Sequence, residues 1–253
     1  MLGRMKRYFY LFLSLLLLVM ITEIAGADFT EGLVNRWTFN DQKELLVDDV
    51  GGVTLLNGGG VTFSDGQAIF DGGGESFLYS QDPRVNSERF GDTKEFTVWV
   101  KFEVDSYRDD IARLVRRNET GINSRTTFGL TVSGDSVTSA VISGSSSTGT
   151  PAGVKFSDKK PNVVAISFSS ALLRNYGNGV ERIRELDNLT INDKGSFTVG
   201  GLFNYNSNTF SQVFIGRIDE IRIYDRQLTL EELNKIEAVS SSNVFQAVVS
   251  FEL

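Results

Sequence analysis

Apolar and polar positions alternate along much of the chain, most clearly in "FTVWVKFEV". There Phe96, Val98, Val100, Phe102 and Val104 share one face, and Thr97, Trp99, Lys101 and Glu103 share the other. A period of two over nine residues predicts a strand with one buried side. Leu33, Asn35, Trp37 and Phe39 alternate in the same way, as do Val164, Ile166 and Phe168. Turn signals divide these runs: "GGG" at 58–60, "DGGG" at 71–74, "SGDS" at 133–136, "SGSSSTG" at 143–149 and "YGNGV" at 176–180. Many short strands with Gly-rich turns and almost no helix predict an all-β fold, an antiparallel β-sandwich or jelly roll.

One segment breaks the pattern. "FIGRIDEIRIYDRQLTLEELNKIE", residues 214–237, predicts a strand with Ile221 and Ile223 toward the core, then a short C-terminal helix. Thr229 and Glu232 have capping-box spacing, and Leu228 and Leu233 stand at the two positions of a hydrophobic staple. After it, "SSSN" at 240–243 reads as a polar hinge before "VFQAVVSFEL" at 244–253, whose alternation predicts a strand. That strand has two readings: it completes an edge of its own sandwich, or it adds to an exposed edge of a second copy through Phe245 and Phe251.

The first residues carry Arg4, Lys6 and Arg7, then the apolar run "YFYLFLSLLLLVMI" at 8–21 and "AGA" at 25–27, the order of a secretory signal peptide. The run is shorter than the ~20 residues that span a bilayer, so no membrane insertion is expected once the leader is removed. The expected organisation is a signal peptide over 1–27, one sandwich over 28–237, and a hinge and strand over 238–253, in a secreted, extracellular or cell-surface protein.

Charge and composition narrow the chemistry. The net charge is −7, which repels phosphate backbones and speaks against nucleic acid. The chain has no cysteine and no histidine. Disulfides, Ser-His-Asp and Cys-His nucleophile systems and His-ligated zinc are thereby removed, leaving carboxylate chemistry or oxygen-ligated cations.

The order of segments resembles the concanavalin A-like, laminin-G-like domains. "GLVNRWTFND" at 32–41 looks like their first strand, and "LLVDDVGG" at 45–52 like their Asp-containing loop. "QAIFDGGGESFLYS" at 67–80 and "KEFTVWVKFEV" at 94–104 match the next strands. "LLRNYGNGVE" at 172–181 matches a hairpin, and "GRIDEIRIYDRQLTLEEL" at 216–233 matches the closing strand and helix. The resemblance implies that the closing strand lies beside the first. It departs at "KKPNVVAISF", which lacks the Trp-His pair that the family carries before its central strand.

The resemblance also implies structural calcium at Asp48 and Asp219, a hard cation that takes 6 to 8 oxygens. The alternative is that Asp48 and Asp49 cap a turn while Asp219 pairs with Arg217 or Arg222. In "GGLFNYNSNTF" at 200–210, Phe203 and Tyr205 alternate with Asn204, Asn206 and Asn208. Aromatic faces and amides of this kind suit a shallow glycan site, and Asn and Ser also simply populate turns. Asn118 in "NET" and Asn188 in "NLT" fit glycosylation triplets.

Paired acids such as Asp219 with Glu220 invite a glycosidase reading, but strand neighbours point to opposite faces. The expectation is therefore a non-enzymatic binding module for glycan or another extracellular surface. The alternative is a structural subunit of an extracellular filament, coat or surface layer that self-associates through its C-terminal strand. A polysaccharide-cleaving enzyme is the third reading.

Overall fold

The computed structural model describes residues 29–40, 46–88, 90, 95–106, 111–118, 126–143, 146–191, 195–204 and 209–249. The expected leader, residues 1–27, lies outside them. In chain order the first strands are β1 (Leu33–Trp37), β2 (Leu56–Asn57), β3 (Thr62–Ser64), β4 (Gln67–Asp71), β5 (Leu78–Tyr79) and β6 (Glu95–Val104). There follow β7 (Ala112–Asn118), β8 (Thr126–Ser133), β9 (Ser136–Ser143), β10 (Ser146–Gly149), β11 (Val154–Lys155) and β12 (Asn162–Ser169). The last are β13 (Leu172–Gly177), β14 (Val180–Glu185), β15 (Ser196–Val199), β16 (Leu202–Asn204), β17 (Thr209–Ser211) and β18 (Ile215–Tyr224), then helix α1 (Leu230–Val249).

Residues 31–230 form one compact unit that carries the described strands; residues 231–253, with those before 31, form another. In the first unit two antiparallel sheets face each other. One runs β14-β13-β12-β6-β18-β4-β3, with β1 also on β18; the other runs β10-β9-β8-β7-β15-β5-β2, with β11 on β9. β16 and β17 pair separately as a hairpin. The β1–β18 pairing sets the closing strand beside the first, with Trp37 opposite Ile221, as the resemblance implied.

Each sheet turns its apolar positions inward. Phe96, Val98, Val100 and Phe102 of β6 and Ile221 and Ile223 of β18 join Val115, Phe128, Leu130, Phe197 and Val199 of the second sheet in one core. Phe96 of β6 lies 4.8 Å from Phe128 of β8 between ring centroids, 5.3 Å from Phe90 and 5.4 Å from Phe168. Trp37 stacks on Phe197 at 6.0 Å. The turn signals act as expected. In the β13–β14 hairpin Asn178 and Gly179 both have positive φ, 48° and 77°. That is the backbone a two-residue turn of type I′ requires.

Two expectations are corrected. β6 is buried on both faces: Thr97 and Trp99 are as inaccessible as the apolar set. β6 is central, and its outer side chains are covered within the same unit. The Arg222 guanidinium lies 5.4 Å over the Trp99 ring, and the Leu228 amide donates to Thr97 Oγ1 at 3.0 Å. The second correction concerns the tail. α1 starts directly after Thr229, as the cap predicts, but runs on to Val249 where a hinge and a strand were expected. No Gly or Pro interrupts residues 230–249. An established helix then extends at one hydrogen bond per residue, whereas the alternating apolar run alone has no partner strand. Within that unit Glu231 and Lys235 form an i,i+4 ion pair at 2.6 Å.

Candidate functional site

The loop after β1 is organised by Asp48, which is buried. Its Oδ2 accepts from Asn35 Nδ2 at 2.8 Å and from the Val53 amide; its Oδ1 accepts from the amides of Arg36, Val50 and Gly51. The neighbouring Asp49 holds Arg36 at 2.8 Å. The carbonyls of Gly51 and Gly52 accept from Arg84, whose guanidinium also binds Asp82 at 2.6 Å. Its hydrogen bond with Asp82 holds the Arg84 pKa above the ordinary arginine value, and the charge of Asp48 adds to the effect. The Gly51 and Gly52 carbonyls are thus engaged by a guanidinium.

Asp219 lies at the β-bulge between Ile218 and Glu220 in the β18–β6 ladder. Its carboxylate is 2.8 Å from Lys101 Nζ, so its partner is neither Arg217 nor Arg222. Among the described residues no three acidic side chains converge as a metal group. As placed, Asp48 and Asp219 do not fit one shared calcium: the first has its oxygens filled by N–H donors, and the second is turned to an ammonium. The turn-capping alternative for Asp48 matches the geometry. Glu220, the other half of the suggested acid pair, is held by Arg222 at 2.7 Å.

Phe203 and Asn204 lie in β16, where their backbones pair with Phe210 and Thr209 of β17. Tyr205, Asn206 and Asn208 fall outside the described residues. β16 lies beside β7 of the second sheet, and the outer face of that sheet holds a group of residues that the sequence reading missed.

Faces of that sheet follow from register. Val115 and Arg117 stand opposite Leu130 and Phe128, so Arg116 between them points outward, opposite Gly129 and Thr198. Thr131 lies between the core residues Leu130 and Val132, hence outward, and stands opposite Arg113. One cross-strand row therefore runs Tyr79, Thr198, Arg116, Gly129, Ala140, Gly149. Arg116, Thr131 and Thr198 are buried; Tyr79, Arg113, Thr138 and Ala140 are half-buried. The face is polar and largely buried, with the small residues Gly129 and Ala140 beside Arg116.

Arg113 is fastened to the segment that follows the hairpin. Its Nε donates to Gln212 Oε1 at 2.8 Å, its Nη1 donates to Thr131 Oγ1, and its backbone amide donates to the Gln212 carbonyl at 3.0 Å. Gln212 adopts φ 52°, a left-handed conformation that costs a residue with a side chain about 1–3 kcal/mol. Burial lowers the Arg113 pKa. Burial first, and the charge of Arg113 second, lower that of Arg116 to about 9. The only trace of this group in the sequence is "ARLVRRN", with three arginines in seven residues. Its strand was not predicted, and the bulge between Arg113 and Val115 hides the period.

Comparisons with known proteins agree with this architecture. The binding domain of botulinum neurotoxin serotype G superposes with a TM-score of 0.65 at 17% identity, covering 83% of this chain and 51% of that one. Domain 4 of AbnA, a GH43 extracellular arabinanase from Geobacillus stearothermophilus, solved with arabinotriose, gives 0.60 at 19%, covering 81% and 97%. Trypanosoma rangeli sialidase with sialic acid gives 0.59 at 16%, covering 81% and 32%. The chain thus spans about half of the toxin domain and a third of the sialidase. No curated protein matches significantly. The model of the concanavalin A-like lectin/glucanases superfamily, laminin-G type, matches residues 73–234, well over half of the chain, and to that family this protein belongs.

Proposed function

We propose that this chain is an exported, non-enzymatic sandwich module that binds glycan on the outer face of its second sheet, beside the β16–β17 hairpin. The observation that carries the reading is the polar outer face of Arg116, Thr131 and Thr198, with the half-buried Tyr79 at the end of the row. A sugar asks for an aromatic face and polar groups, and Tyr79 and this polar row bring both residue types onto one sheet. The same fold in AbnA domain 4, solved with arabinotriose, supports it. The non-enzymatic part rests on the absence of His and Cys and on the engagement of Asp219 and Glu220 with Lys101 and Arg222. Phe203 and Asn204 of the hairpin, with Tyr205, Asn206 and Asn208 from the sequence reading, are proposed as secondary contacts. A glycan array probed with the full chain is expected to show binding; a blank array, or release of reducing ends from bound polysaccharide, would sink this reading.

The second reading, a subunit of an extracellular assembly, draws on β14, an edge strand that leaves Val180 and Ile183 exposed. The unpaired backbone N–H and C=O groups of an edge strand are a template for pairing with another chain, although Glu181, Arg182, Arg184 and Glu185 of this one oppose it. Donation of a C-terminal strand loses its basis, because residues up to Val249 are helical. Size exclusion with light scattering separates the readings: a monomer is expected of the binding module and a higher mass of the building block.

We also propose that the Asp48 loop is held by its own N–H groups and by Arg84 without calcium. Melting temperatures in calcium and in EDTA are then expected to coincide. A binding metal would instead add about 2.7 kcal/mol at a hundredfold excess over its Kd, and a chelator-sensitive melt would restore Asp48 and Asp219 as ligands.

A further inference from the structure

We propose that Asn188 is an acceptor for N-linked glycan, a covalent modification site separate from the sugar-binding face. The proposal rests on the export part of the reading above, because the acceptor triplet is used only in a chain that enters a secretory route. Two triplets have the required spacing, Asn118-Glu119-Thr120 and Asn188-Leu189-Thr190. The fold separates them. Asn118 is the last residue of β7, where its backbone pairs with Ser196 of β15 on one side and Thr126 of β8 on the other. Asn188 stands outside the ladders, in a bend after the end of β14.

An attached glycan is bulky and solvated, so a folded chain accommodates it only at a side chain that stands in solvent. Asn188 and Thr190 are both exposed, while Leu189 between them is half-buried and packs against the core. The Leu186 amide donates to the Ala171 carbonyl at 2.8 Å, and the Leu189 amide donates to the Ser170 carbonyl at 3.0 Å. These bonds pin the triplet beside the β12–β13 turn without using either polar side chain. Asn188 has φ 46°, a left-handed conformation that asparagine tolerates in turns. Its side-chain amide makes no hydrogen bond among the described residues. The amides of Asn35, Asn86, Asn162 and Asn175, by contrast, all donate within the fold. In the transfer, Asn188 Nδ2 attacks the anomeric carbon of an oligosaccharide carried on a polyisoprenyl pyrophosphate. A C–N bond forms, the bond from that carbon to the phosphate oxygen breaks, the lipid pyrophosphate leaves, and the amide proton passes to a base of the transferase. Thr190 supplies the hydroxyl that the triplet requires.

The test expresses the full chain in cultured animal cells and weighs the translocated protein before and after PNGase F in heavy-oxygen water. That enzyme removes the glycan and leaves a labelled aspartate in place of the modified asparagine. The expected result is a mass step that the enzyme removes, with the label at position 188. Asn188→Gln should abolish the step. Thr190→Ala should abolish it as well without altering the residue in the left-handed conformation, and Thr190→Ser, which restores a hydroxyl, should keep it. A translocated chain with Asn188 unlabelled, or with the label confined to Asn118, overturns the proposal; so does a label at 188 that survives Thr190→Ala. A second form, with a proven secretory leader ahead of the full chain, separates this proposal from the export reading. If only that form is translocated, the export reading fails, and the label at Asn188 in that form decides the modification by the same criterion.

Discussion

Replacing Phe96 by alanine is expected to lower the stability of the sandwich by about 3–5 kcal/mol, the usual cost of emptying a buried aromatic site. Phe96 belongs to one sheet and touches Phe128 of the other at 4.8 Å, so its ring is a clamp between them. It also packs against Phe90 at 5.3 Å, and Phe90 carries the Arg117 guanidinium 5.4 Å from its ring. Removal therefore opens a cavity between the sheets and disturbs the fully buried Arg117 next to Arg116. Denaturant unfolding followed by tryptophan fluorescence reads this directly, since both tryptophans, Trp37 and Trp99, are fully buried. Phe96→Leu, which retains most of the volume, should cost clearly less. A loss below about 1 kcal/mol for the alanine variant would mean that the sheets close without this ring.

Asp48→Ala should cost about 3 kcal/mol, for a different reason: a buried donor left without an acceptor costs about 1–3 kcal/mol, and this carboxylate serves several at once. The amides of Val50, Gly51 and Val53 and the side chain of Asn35 all lose their acceptor. Water reaches part of the loop and limits the total. Asp48→Asn keeps the shape but turns one acceptor into a donor, so an intermediate loss is expected. Hydrogen exchange locates the effect: the Val50, Gly51 and Val53 amides should exchange faster while those of β6 and β12 remain protected. Unchanged exchange at these three amides would reject the role assigned to Asp48.

Export of the chain and its glycan-binding role remain proposals, while the family and the sandwich are established. The boundary falls there because a fold is a repeated pattern and a site is a local coincidence. Many ligands are served by one sandwich, and the site alone discriminates among them.

What the sequence determined by itself was whatever depends on neighbours along the chain. The inward faces of β6, β12 and β18 were legible because side chains alternate with period two, and the start of α1 because a cap needs only Thr229 and the residues just after it. Asn178 and Gly179 announced their hairpin because the turn requires positive φ at both. What only the tertiary structure decided was whatever depends on residues far apart. Thr97, Trp99 and Lys101 alternate as a solvent-facing set would, and they are buried because Arg222, Leu228 and Asp219 come across them from the end of the chain. Asp48 reads equally as a metal ligand or a turn cap until its N–H donors surround it. The tail satisfies both periods, and helix wins through continuity with α1. Arg113 meets Gln212 across 99 positions of sequence. No local period links two such residues, so their pairing appears only when β7 and the segment after β17 are brought together in space.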